Sequence, residues 1–112
     1  MTNKNKIKGS QYERDVVSAL IEDGFTKAER MYGAGRQDDR GDVRGLDGWT
    51  IECKNEAKID LPKYLAELER EMANAGNDLG AVLVKKRGNN AKSSYVVMSW
   101  QILIELLRRT NA

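Results

Sequence analysis

Apolar residues recur along this chain with two periods, and the switches between them predict the order of elements. Tyr12, Val16, Ala19 and Leu20 follow one another at helical spacing after Ser10-Gln11-Tyr12-Glu13, an S-x-x-E capping box, and Gly24 ends the run, so a helix is expected over 10–23. Residues 25–31 mix apolar and charged positions (Phe25, Ala28, Met31) without holding a helical period and read as a strand. The glycine-bearing, charged segment 33–41 reads as a loop. Trp49, Ile51 and Cys53 then alternate with Thr50, Glu52 and Lys54, the period of a strand, and Asp47-Gly48 before them suits a hairpin turn back to residues 42–45. Asp60 can cap a second helix with Pro62 in its first turn and a stripe of Leu61, Leu65, Leu68 and Met72, closed by Gly76. Two short apolar runs, Ala81–Val84 and Tyr95–Met98, fit buried strands. Ser99 can cap a last helix carrying Ile102, Leu103, Leu106 and Leu107 and ending on Arg108 and Arg109, where cations favour a helix C-terminus. The predicted order is helix, three strands, helix, two strands, helix: one α/β domain over 1–112, a mixed sheet flanked by helices.

The hairpin carries the chemistry. A period of two sets Glu52 and Lys54 side by side on the polar face of their strand, and the turn returns Asp42 to the same end. Two carboxylates and an ammonium at one spot suit a divalent cation and a water attacking a phosphodiester. Asp42 and Glu52 are the candidate metal ligands, with the Cys53 backbone carbonyl as a third. Lys54 would orient or help deprotonate the water and offset charge in the transition state. The chain has no histidine, which excludes the usual zinc sites, the Ser-His-Asp triad and the Cys-His pair. An all-oxygen ligand set calls for Mg²⁺, with Mn²⁺ able to substitute. The plainer reading is an ordinary exposed strand pair, and the chain has a second Glu-x-Lys, Glu56-Ala57-Lys58, which reads as a solvated connection. Glu13 has two readings: the acid of the capping box bonding the Ser10 amide, or a further carboxylate reaching the metal. Cys53 falls on the apolar side, where a thiol is inert. Trp49 and Trp100 read as core or interface, and Tyr64, off the leucine stripe, as a neighbour of the cleft holding Lys54.

Charge changes the picture less by its total than by its placement. The net charge is only +2, from 19 Lys and Arg against 17 Asp and Glu. Lys4, Lys6 and Lys8 lead the chain, Arg30, Arg36, Arg40 and Arg44 surround Asp42, and Lys85, Lys86 and Arg87 border a Gly-Asn-Asn loop. Lys6, Lys8, Arg30, Gly35, Arg36, Arg40, Lys85, Lys86 and Arg87 are the candidate DNA contacts. Glu67, Glu69 and Glu71 are read as solvating a helix face. No apolar run approaches the roughly 20 residues that cross a bilayer. A soluble, unexported protein is expected, and the lone Cys53 agrees with a reducing cytosol.

The order Lys8-Gly9-Ser10, Glu13-Arg14, Gly24-Phe25, Gly35, Gly41-Asp42, Ile51-Glu52-Cys53-Lys54 resembles the archaeal-type Holliday junction resolvases, a branch of the PD-(D/E)xK nuclease superfamily, over roughly residues 6–86. The resemblance implies a restriction-endonuclease-like αβββαβ core, with Glu13, Asp42 and Glu52 as the acids and Lys54 as the catalytic lysine. It implies that the 33–40 loop and the basic N-terminal segment meet DNA, and that a homodimer cuts opposed strands of a four-way junction. The residue before the acid is Gly41 where that pattern has proline, and the chain is short for such an enzyme. The expected function is therefore a Mg²⁺-dependent junction-resolving endonuclease, cytoplasmic or, if viral, acting in the host cytoplasm. The alternatives are a nuclease of the same superfamily for duplex, flap or single-stranded DNA, and a non-catalytic DNA-binding module of the same fold.

Overall fold

The first helix, α1 (Lys4–Glu22), begins well before Ser10, so the S-x-x-E tetrapeptide lies inside the helix and no capping box forms there. Residues 4–9 contain no proline, and apart from Gly9, which costs about 1 kcal/mol in a helix, their propensity differences are only tenths of a kcal/mol, so the helix runs on upstream once Tyr12 and Val16 are buried. This is a computed structural model, and it describes residues 4–31 and 38–112. The expected strand over 25–31 shrinks to β1 (Glu29–Arg30). A turn closed by the Ala28 amide on the Phe25 carbonyl, at 3.1 Å, precedes it and delivers Ala28 to the core while Phe25 stays exposed.

The hairpin forms as the alternation predicts. Strand β2 (Val43–Arg44) runs antiparallel to β3 (Trp49–Lys54), with Val43 opposite Ile51. Helix α2 (Leu61–Ala75) then carries the chain over the sheet to β4 (Leu79–Val84), which lies parallel to β3. The Asp60 side chain accepts the Lys63 amide at one end of α2, and Gly76 closes the other in the left-handed conformation. A short 3-10 turn, Ala91–Ser93, leads to β5 (Tyr95–Val97), antiparallel to β4, and Ser99 caps α3 (Trp100–Thr110) by accepting the Ile102 amide at 3.2 Å. The result is a mixed five-stranded sheet, in the order β1-β2-β3-β4-β5, with three helices.

Both faces of the sheet are covered. On one, Tyr12 and Val16 of α1 pack with Ala28, Val43, Ile51, Cys53 and Ala81; on the other, Tyr64, Leu68 and Met72 of α2 and Ile102 of α3 pack with Leu79, Val82 and Val84. Two expectations change here. The side of β3 bearing Thr50 and Glu52 is not a solvated face, because α2 lies on it and the two residues are 0 % and 5 % exposed. The buried stripe of α2 is Tyr64, Leu68, Glu71 and Met72, rotated away from Leu61, which is exposed. Gly80 gives Met72 room to pack: a Cβ there would stand 2.8 Å from the Met72 sulfur and 3.0 Å from the Thr50 carbonyl oxygen, so the methionine would have to shift. Trp100 belongs to no core and is 75 % exposed. Among the described residues, no helix is long and apolar enough to cross a membrane.

Candidate functional site

Asp42 is placed by backbone geometry. Gly41 has φ +106°, and a Cβ on it would lie 2.8 Å from the Ile51 carbonyl oxygen, so strand β3 approaches too closely for any side chain at 41. Proline, locked near φ −65°, cannot take that conformation, which gives a physical reason for glycine before the acid. The Asp42 amide donates to the Ile51 carbonyl at 2.7 Å, and the Asp42 Oδ2 accepts the Cys53 amide at 2.7 Å. The carboxylate is therefore held against the end of β3 that carries Glu52, and it is 4 % exposed.

Glu52 lies next to Asp42 and to Glu71, both close enough to perturb its carboxyl. Glu71 is also buried, and its Oε2 has no hydrogen-bond partner. Close by, Asp39 accepts the Gly41 amide at 2.9 Å, and its backbone carbonyl accepts the Asn74 side-chain amide at 2.8 Å. Burial pushes the Glu52 carboxyl far above the usual carboxylate range, helped by its interactions with Asp42 and Glu71 and by their charges. Glu71 is raised as well, by burial first; the interaction with Glu52 opposes the rise and the charges of Asp39, Asp42 and Glu67 add to it.

Lys54 is the next residue on the Glu52 side of β3. Its Nζ lies 2.7 Å from the Glu67 Oε2 and 5.2 Å from the centre of the Tyr64 ring. Burial pulls its pKa down, but the bond to Glu67 and the charges of Glu52, Glu67 and Glu56 outweigh that, and the net direction is up from 10.5. Lys54 is thus a charged donor at neutral pH and a poor base. Its expected role narrows to orienting groups and offsetting negative charge. Tyr64 lies in the core beneath it, its hydroxyl donating to the Glu56 Oε1 at 2.9 Å and to the Lys58 carbonyl at 3.3 Å. The second Glu-x-Lys is exposed in the connection from β3 to α2, as expected, and Glu56 also anchors the ring under Lys54.

Glu13 stands on α1, where both Nε and Nη2 of Arg30 donate to its Oε1, at 3.3 and 3.2 Å. It senses Asp42: burial and the Asp42 charge raise its pKa while Arg30 lowers it. Neither the capping role nor contact with the other acids is seen, and Arg30, expected on DNA, is engaged with Glu13. Cys53 is buried against α1, its thiol pushed well up by burial and then by the charges of Asp42, Glu13 and Glu52. Its backbone takes part in the site through the amide bonded to Asp42.

Of the other candidate DNA contacts, Lys6, Lys8, Arg40, Lys86 and Arg87 are exposed, and Lys85 is partly buried with its Nζ donating to the Asn89 carbonyl at 3.0 Å. Gly35 and Arg36 lie outside the described residues. Two clefts adjoin at the carboxyl ends of β3 and β4. One, of about 440 Å³, is lined by Lys8, Lys54, Lys58 and Glu56 among others, and the other, of about 600 Å³, by Lys8, Lys85 and Arg87 together with Asp15 and Glu56. A further cleft of about 610 Å³ between α2 and α3 carries Glu69, Asp78 and Glu105, whose charge opposes a phosphate.

The donor set is all oxygen, and one buried carboxylate oxygen is unpartnered, which fits a hard divalent cation. The acids meet pairwise: among the described residues no three His, Cys, Asp or Glu side chains are arranged as a metal-binding group. Glu71 and Glu67 are the site residues that periodicity hid, since the leucine stripe drew α2 with its acids outward. The signal was available in Tyr64, Leu68, Glu71 and Met72, an equally good helical stripe with an acid in it. No family model, no curated protein and no solved structure matches the chain.

Proposed function

We propose that this chain is a Mg²⁺-dependent DNA endonuclease with a restriction-endonuclease-like αβββαβ core, acting on branched DNA in the manner of the Holliday junction resolvases it resembles. The observation that carries the reading is the bond from the Cys53 amide to Asp42, because it joins an acid before one hairpin strand to Glu52 and Lys54 on the next. Burying carboxylates together is unfavourable for folding, and an arrangement of that kind beside a lysine and a cleft is the usual mark of a functional site. The element order α1-β1-β2-β3-α2-β4 supports the fold assignment.

Asp42 and Glu52 would hold the cation, which when bound supplies a water of lowered pKa and positive charge for the phosphoryl oxygens. Lys54, fixed by Glu67 over the Tyr64 ring, directs an ammonium at charge developing on the phosphate. Lys8, Lys58, Lys85 and Arg87 line the adjoining clefts and would track the backbone. Val96 on β5 and Trp100, Leu103 and Leu107 on α3 leave apolar surface exposed, which supports pairing of two copies as a homodimer. The setting proposed is the cytoplasm.

The test is cleavage of a synthetic four-way junction in Mg²⁺ or Mn²⁺. Wild type should cut it, and Asp42→Asn or Glu52→Gln should abolish cutting while junction binding survives. Cutting undiminished in both variants refutes the assignment of the acids. Equal cleavage of the junction and of its linear arms would redirect the substrate to duplex DNA.

A further inference from the structure

We propose that Glu71 of α2, and not Glu13 of α1, supplies the third carboxylate that holds the divalent cation. This assignment rests on the nuclease reading above and departs from the resemblance, which gives that place to Glu13. Glu71 is 3 % exposed and lies on the buried stripe of its helix close enough to Glu52 to perturb it, yet its Oε2 has no partner. A buried, unpaired carboxylate oxygen is strongly unfavourable. The charges that reach it make matters worse, because Asp39, Asp42 and Glu67 all face it. Among the described residues no ion pair joins a lysine or arginine to Asp42, Glu52 or Glu71; Lys54 is held by Glu67. Side chains chosen only to fill the space under α2 would have placed an apolar residue at 71. A cation with oxygen ligands satisfies the orphaned atom and neutralises the cluster together.

Glu13 is differently situated. Two nitrogens of Arg30 already bond its Oε1, so its charge is balanced inside the protein. Glu13 is then a positioning residue: it holds Arg30 of β1 against α1 and does not contact the ion.

The discriminating experiment is a calorimetric titration of the full chain with Mn²⁺ alone, without DNA, for wild type, Glu71→Gln, Glu71→Met, Glu13→Gln and Asp42→Asn. Circular dichroism would check that each is folded. Glutamine keeps the shape of Glu71, and methionine keeps the packing under α2 if the amide proves disruptive. Glu71→Gln, Glu71→Met and Asp42→Asn should each weaken Mn²⁺ binding by roughly tenfold or more, and Glu13→Gln by no more than about twofold. Folded Glu71 variants that bind Mn²⁺ as wild type does, while Asp42→Asn loses it, overturn the Glu71 assignment and leave the nuclease reading standing. A Glu13→Gln loss as large as that of Asp42→Asn also overturns it. Wild type that takes up no Mn²⁺ overturns the metal-dependent reading itself.

Discussion

Replacing Glu52 by glutamine should make the protein more stable at neutral pH. Glutamine has nearly the same shape, and the site is 5 % exposed, so packing is conserved while a buried titratable group is removed. The sign follows from linkage. The unfolded carboxyl titrates near 4.5 and the folded one well above that, so between the two values the native state binds the extra proton. The stability it contributes is complete below about pH 4.5 and falls as pH rises toward the folded value, a loss that the glutamine variant does not share. Each tenfold change in proton affinity is worth about 1.4 kcal/mol, and two like charges about 4 Å apart at an effective dielectric of 20 repel by about 4 kcal/mol. Relaxation around the buried group offsets part of this, so Glu52→Gln should gain roughly 1–3 kcal/mol at pH 7, or about 4–12 °C in Tm for a chain of this size. Thermal unfolding by circular dichroism in EDTA, from pH 3.5 to 8, measures it. The gain should shrink toward zero at the acid end. A variant no more stable than wild type at pH 7, or a difference that does not change with pH, refutes the electrostatic account of the cluster.

Adding Mg²⁺ in place of EDTA should raise the Tm of wild type and leave that of Glu52→Gln nearly unchanged, since a ligand stabilises only a state that binds it. Gly41→Ala combines φ +106° with a 2.8 Å approach to the Ile51 oxygen and should lose about 2 kcal/mol or more in urea unfolding, whereas a loss under about 0.5 kcal/mol would mean that the hairpin yields easily. Lys54→Met keeps an apolar stem over the Tyr64 ring without its charge, so the fold should persist while the junction-cleavage rate falls on the order of a hundredfold, and an unchanged rate would remove Lys54 from the chemistry. Alanine at Lys85, Lys86 or Arg87 should each lower the slope of log binding constant against log salt by about 0.9 where the side chain meets a phosphate, and slopes unchanged from wild type in all three would take this loop off the DNA.

How much of this was legible in the sequence differs from element to element. The alternation from Trp49 to Lys54, the Asp60, Gly76 and Ser99 caps and the apolar run in β4 determined their elements directly, because each signal is local: side-chain direction along a strand and the unpaired amides at a helix end depend only on nearby residues. The same locality brought Asp42 and Glu52 together, since a tight hairpin fixes which residues face each other. Where α1 begins, how far β1 extends and which side of α2 is buried were decided by packing. Two helical stripes compete on α2, and the choice falls to the sheet, where Gly80 lets Met72 approach and Thr50 and Glu52 lie beneath the helix. That choice turns Glu71 from a solvating acid into a buried one and sets Glu67 on Lys54, while the packing of α1 on β1 sets Arg30 on Glu13. Sequence by itself therefore determined the elements and the acid pair of the hairpin. Tertiary structure alone decided the burial of Glu71, because contacts between residues far apart in the chain depend on how helices seat on the sheet, which no local period encodes.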